Sequence, residues 1–169
     1  MRDLRYGIEI EMTGLSRGKA AETLAGFFGT RAEHTGGGYD AYAVRDAQDR
    51  VWKLVSDGSI QTQKKVRGQT VAADSTYSVE LVSPVCVYED IETIQEIVRA
   101  LRRNSALVND SCGIHVHVGA EKFDAQHLRN ITNIMASKEE LIYKALQVDL
   151  NRSQDYCRRV EQRFLRQVN

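Results

Sequence analysis

Two alternating pairs of ionisable side chains carry most of the chemistry legible in this chain. His115 and His117 alternate with Ile114, Val116 and Val118 in C-G-I-H-V-H-V-G, and Glu9 and Glu11 alternate with Ile8, Ile10 and Met12 near the N-terminus. Successive side chains of a strand point to opposite faces, so each pair shares one face and leaves the other apolar. A third stretch, S-V-E-L-V-S-P, sets Glu80 among residues that otherwise read as core, and a half-buried carboxylate needs a partner. If these strands share one sheet, three carboxylates and two imidazoles converge. Oxygen-rich ligands with few nitrogens and no thiolate suit Mg²⁺ or Mn²⁺ better than structural zinc. Cys112, next to the histidine strand, keeps zinc as the minor alternative. Each piece has an ordinary explanation: paired glutamates commonly form the wet face of a half-buried sheet, and a lone histidine is more often a hydrogen-bonding group than a ligand. The combination carries more than its parts. No nucleophile elbow or Ser/His/Asp order supports covalent acyl transfer.

The elements that must position these groups follow from periodicity and punctuation. After the Glu9/Glu11 strand, Thr13-Gly14-Leu15 reads as a turn and Ser16 as the cap of a helix over Arg17–Phe28, with Ala20, Leu24, Phe27 and Phe28 inward and Gly29 as its stop. Gly36-Gly37-Gly38 reads as a connector, since no helix follows to make it a phosphate loop. Residues 39–44 and 51–55 alternate about a polar turn and predict a hairpin. Asp57 and Ser59 then sit in S-D-G-S-I, where Asx bonding in a turn is the simplest reading. Residues 61–67 predict a surface loop or exposed strand, and residues 71–73 and 77–83 predict strands. From Asp90 to Arg103 the period becomes 3.6, with Ile91, Ile94, Ile97, Val98 and Leu101 as the apolar stripe and Asn104 as the stop. The apolar side of the histidine strand predicts burial against helices. Asp124 reads as a helix cap, Ser137 with Glu140 as a capping box that restarts a second helix, and Ser153 as the cap of a last helix carrying Tyr156, Val160 and Phe164. The layout is α+β, with helices covering one sheet face and the other open for chemistry.

Composition bounds the function classes. A chain of 169 residues can bury a core as one domain. Lys+Arg 23 against Asp+Glu 23 gives no global field for nucleic acid or an acidic membrane. Locally, Arg152, Arg158, Arg159, Arg163 and Arg166 make the tail basic. Three cysteines without framework or CxxC spacing favour a reducing compartment. With no apolar leader and no stretch of transmembrane length, the expectation is a cytoplasmic protein.

Four stretches in sequence order, G-I-E-I-E, D-G-S-I, V-E-L-V-S-P and C-G-I-H-V-H-V over residues 7–118, resemble the amidoligase family, related to the glutamine synthetase and glutamate–cysteine ligase superfamily. The resemblance implies a curved, mainly antiparallel, glutamine synthetase-like sheet whose concave face holds metal and nucleotide. It implies an ATP- and Mg²⁺-dependent ligase (Mn²⁺ a substitute) that joins a small-molecule, peptide or protein carboxylate to an amine through an acyl phosphate. By the same resemblance Glu9, Glu11, Glu80 and His115 are the metal ligands and His117 lies near the transferred phosphate. Asp57 and Ser59 position substrate or order a loop, and Arg152 and Tyr156 contact substrate or phosphate. One departure stands out: the family's later strand bearing E-x-R has no counterpart after His117. The chain therefore reads as the N-terminal part of a longer family domain, with an unpaired sheet edge or terminal helices open to self-association, weak Mg²⁺-nucleotide binding and little turnover alone. A metal-dependent hydrolase using the same Glu/His cluster, and a non-catalytic binding or assembly domain, are the competing readings.

Overall fold

A computed structural model describes residues 4–148, 150–154 and 156–169. The chain forms two compact units, Met1–Gly119 and Ala120–Asn169. The first is α+β. Its six-stranded sheet runs β2 (Ala32–Gly36), β3 (Ala41–Arg45), β4 (Val51–Val55), β7 (Val79–Val82), β1 (Tyr6–Met12), β8 (Ile114–Val118), and every neighbouring pair is antiparallel. A separate hairpin comprises β5 (Gln63–Val66) and β6 (Gln69–Ala72).

The two helices of this unit begin and end where their capping residues dictate. In α1 (Arg17–Phe28) the Ser16 hydroxyl accepts the Lys19 amide at 3.3 Å, and Gly29 closes the helix in the left-handed region at φ 68. Ala20, Ala21, Leu24 and Ala25 are its buried face; three alanines bring the helix close to the sheet. Phe28 packs on Trp52 with ring centroids 5.7 Å apart, whereas Phe27, expected inward, is largely on the surface. In α2 (Asp90–Arg103) Ile94, Ile97 and Leu101 are buried, acidic residues open the helix and arginines close it, and Asn104 is its end. Both helices serve the core side of the sheet, where Val44, Trp52, Leu54, Val79, Leu81, Ile10 and Met12 lie. The other side carries no helix of this unit.

Gly14 turns the chain after β1. At φ +88 an added Cβ would stand 2.4 Å from the Ser105 carbonyl oxygen and 2.6 Å from Leu107, so only glycine fits. The turn keeps the Thr13–Leu107 bridge closed.

A charged knot locks the β3–β4 turn to the start of α2. The Trp52 indole donates to Asp46 at 3.1 Å, Arg50 Nε donates to Asp46 at 2.8 Å, and the Arg50 fork grips Asp90 with two 2.9 Å bonds. The Arg50 guanidinium holds the Asp90 carboxyl below its ordinary range.

Several expectations are corrected. Strand β2 is unforeseen: residues 33–36, Glu-His-Thr-Gly, have no apolar alternation. Residues 75–77 form a 3₁₀ turn, so β7 starts at Val79 rather than at residue 77. Strand β8 is not buried: it is the last strand of the sheet, and Ile114 and Val116 are 66% and 60% exposed. In the second unit α3 (Ala125–Leu146) runs through Ser137 without restarting, because the Ser137 hydroxyl donates back to the Ile134 carbonyl. The last helix does not start at Ser153. A short α4 (Leu150–Gln154) is followed by α5 (Gln162–Val168). No strand follows β8 among the described residues, and no helix there is long and apolar enough to cross a membrane.

The knot makes a stability prediction. Arg50→Met takes the guanidinium from buried Asp46 and half-buried Asp90, which keep their indole and amide donors, and is expected to cost about 1.5–3 kcal/mol in urea unfolding at neutral pH. Asp46 and Asp90 both ionise below the ordinary carboxylate value. Their stabilisation is therefore full above that value and lost as pH falls through their folded pKa values. The gap between wild type and variant should narrow below about pH 4.

Candidate metal centre and active site

Antiparallel register sets the site. Glu9 stands opposite His115 on β8, and Glu11 stands opposite Glu80 on β7. All four face the helix-free side of the sheet, with His117 one step further along β8. His115 Nδ1 is 3.0 Å from Glu9 Oε2 and its Nε2 is 3.7 Å from Glu11 Oε1. His117 Nε2 reaches the same Glu9 oxygen at 3.3 Å.

Two overlapping sets of three donors result. One ligand atom each from Glu9, Glu80 and His115 lies within 4.8 Å of the others, and the same holds for Glu11, Asp57 and Glu80. Glu80 belongs to both. His117 is in neither, and its side chain is 64% exposed. A donor set this rich in carboxylate oxygen, open on one side, fits hard divalent cations such as Mg²⁺ or Mn²⁺. No cysteine belongs to either set; Cys86 is buried, which pushes its thiol up.

The surrounding backbone holds the carboxylates in place. Glu11 is almost fully buried and its Oε2 accepts the Gly113 amide at 2.6 Å. Asp57 leaves β4 in a loop pinned by Ser78, whose hydroxyl donates to the Asp57 carbonyl at 2.6 Å and accepts the Asp57 amide at 2.9 Å. Ser78 is fixed in turn by Arg17, whose Nη1 donates to the Ser78 and Ser75 carbonyls at 2.7 and 2.6 Å. The Ser59 amide donates to Asp57 Oδ1 at 2.6 Å. This is the Asx bond expected of the turn, and the Ser59 side chain is exposed. Sequence reasoning missed Ser78, Arg17 and Gly113. Arg17 left a signal: a cation in the first turn of a helix opposes the macrodipole and calls for another reason to be there.

Charge distribution separates the two pivotal glutamates. Burial and the neighbouring carboxylates Glu9, Asp57 and Glu11 push the Glu80 carboxyl up, with His115 opposing. Burial works in the same direction on Glu9, but the imidazoles of His115 and His117 outweigh it and hold Glu9 low. Among the described residues no hydrogen bond or ion pair reaches the Glu80 carboxylate. The cluster is short of positive charge.

Other features stand outside the two donor sets. An apolar hollow of ≈ 480 Å³, lined by Leu4, Tyr6, Ile8, Tyr88, Val116 and Val118 among others, uses the opposite face of β1 and β8 and has no carboxylate or imidazole among its lining residues. Arg152 and Tyr156 belong to the second unit, where the guanidinium lies 5.3 Å from the ring centroid. In the basic tail, Arg159 meets Glu140 at 3.5 Å, so that stretch has a partner within the chain.

A family model described as a putative amidoligase enzyme matches residues 2–169. The chain belongs to that family. No curated protein and no solved structure matches it. The four stretches that carried the resemblance supply Glu9, Glu11, Asp57, Glu80, His115 and His117.

Glu80→Gln separates stability from binding. A carboxyl with a raised folded pKa destabilises the native state as pH rises through the window from its ordinary value to its folded one. The uncharged variant should therefore be more stable than wild type at pH 7 without metal, with the advantage vanishing below about pH 4. Its Mn²⁺ affinity, read by electron spin resonance, should fall by more than the roughly 10–100-fold typical of losing an outer-shell partner.

Proposed function

We propose that this chain is an ATP- and Mg²⁺-dependent carboxylate–amine ligase with a glutamine synthetase-like ancestry. The observation that supports it most is the pair of donor sets sharing Glu80 on the helix-free face, inside a family-matched chain. Bound divalent ions would neutralise the crowded phosphates and hold attacking and leaving oxygens in line. Glu9, Glu11, Glu80 and His115 would hold them, with Asp57 completing the second set.

The residues then divide the work. A substrate carboxylate oxygen attacks the γ-phosphorus of ATP, ADP departs, and an acyl phosphate forms. The amine attacks the acyl carbon, phosphate leaves, and the nitrogen gives up its extra proton. His117 projects from the exposed end of β8, tethered to Glu9, and in this reading meets the transferred phosphate. Strand mounting keeps these groups rigid through both displacements. Asp57, clamped by Ser78 and bonded to the Ser59 amide, orders the loop at the substrate end. Arg152 and Tyr156 are assigned to substrate or nucleotide contact. Substrates are a small-molecule, peptide or protein carboxylate and an amine, with no role for nucleic acid or membrane. A cytoplasmic setting and self-association through the β8 edge or the terminal helices belong to the same proposal.

The test combines binding with trapping. Mg²⁺ with a non-hydrolysable ATP analogue should raise the melting temperature of wild type and leave His115→Ala unmoved. With ATP, Mg²⁺ and a panel of carboxylic acids, hydroxylamine should capture the acyl phosphate as a hydroxamate, and Glu9→Gln should lose at least about 10³-fold in rate. Metal-dependent amide cleavage without nucleotide would instead establish a hydrolase.

A further inference from the structure

The helix-free face continues beyond the carboxylates across β7, β4, β3 and β2. Register runs in a straight row through His115, Glu9, Val82, Lys53, Ala43 and Glu33. Lys53 is a lysine in an interior strand, exposed on the face that carries no helix of its own unit, between the small neighbours Val82 and Ala43. Strands are spaced by about 4.8 Å, so Lys53 and Glu9 are about 10 Å apart along the row. Glu33 lies as far away on the other side. Among the described residues no carboxylate comes within ion-pair reach of the Lys53 ammonium. Its row neighbours are too small to shield it. Arg45, one strand over, is bound to Asp49 at 3.1 Å. A cleft of ≈ 910 Å³ lies over this end of the sheet, with Arg31, Glu33, Ala43, Arg45, Val51 and Lys53 among its lining residues. That is ample for a small ligand.

We propose that Lys53 is an anion-binding post on the same sheet face as the Glu9/Glu80/His115 centre, holding a second oxyanion of a ligand whose first oxyanion sits at that centre. This rests on the metal reading of that centre. A flexible lysine stem on a fixed strand can swing its three donors over several ångströms of the row. A ligand bridging the two positions must therefore be elongated and doubly anionic, either a dicarboxylate or a phosphate chain. The shared chemistry is an oxyanion; Arg31 and Arg45 line the cleft beside Lys53, and Glu33, Asp46 and Asp49 offset their charge.

The experiment uses the full chain, wild type, Lys53→Gln and Lys53→Arg; the side chain is exposed, so the variants should fold. Mn²⁺ binding is titrated first, then pyrophosphate and adipate are titrated by calorimetry with and without Mn²⁺. Mn²⁺ affinity should be the same in all three proteins. In the presence of Mn²⁺, Lys53→Gln should lose on the order of tenfold in affinity for one of the two anions, and Lys53→Arg should recover most of it. The anion that responds identifies the source, phosphate chain or dicarboxylate. Equal affinity of wild type and Lys53→Gln for both anions, or no binding of either anion by wild type, overturns the proposal. Failure of wild type to bind Mn²⁺ overturns the metal reading instead. The metal-free titrations then decide Lys53 alone, by the same loss or its absence.

Discussion

Everything at the site depends on the register of three strands. Glu9 faces His115 and Glu11 faces Glu80 only because β8, β1 and β7 pair in one alignment. A shift by one residue would turn a whole strand over, sending carboxylates into the core and Ile8, Ile10 or Leu81 into water. The apolar face thus enforces the polar one. Val79, Leu81, Ile10 and Met12 are buried under the helices, and that burial fixes the phase of Glu80, Glu9 and Glu11 far more firmly than contacts among the charges could.

The molecule contains two carboxylate clusters, and their contrast is informative. Around Arg50 every partner is matched: Asp46 and Asp90 receive guanidinium, indole and amide donors. Around Glu80 four carboxylates and two imidazoles crowd together, and the central carboxyl resists ionisation. A protein able to build the first cluster could have supplied an arginine to the second. Local rules broken without compensation inside the fold are where function is expected.

Much of this was legible beforehand, for physical reasons that can be named. The phases of Glu9, Glu11, Glu80, His115 and His117 followed from strict alternation, and α1 and α2 from caps and stripes whose bounds the structure reproduces, although Phe27 and Ile91 turn out exposed. Strand β2 escaped because Glu33-His34-Thr35-Gly36 is held by pairing with β3, not by its own pattern. The break at Ser137 was inferred from a motif that a hydroxyl bonded to its own helix imitates. The burial expected for Val116 failed because alternation gives a side chain's direction but not what stands over it. Ser78 was invisible as a site residue, and Arg17 showed only as a cation at the unfavourable end of its helix. Their role is to hold Asp57 by long-range bonds between distant parts of the chain.

Strand β8 is paired on one side only among the described residues, and both imidazoles ride on it. The two halves of the cluster therefore differ in how firmly the fold retains them: the carboxylates sit in interior strands, while the histidines sit on the strand freest to fray. Opening of β8 would cost a fraction of global unfolding, and it would remove the imidazoles while leaving Glu9, Glu11 and Glu80 in place. An ion held by both halves would bolt that strand shut. The β8 amide hydrogens bonded to β1 should accordingly serve as a clock for ion residence, exchanging between visits and falling silent while the centre is filled.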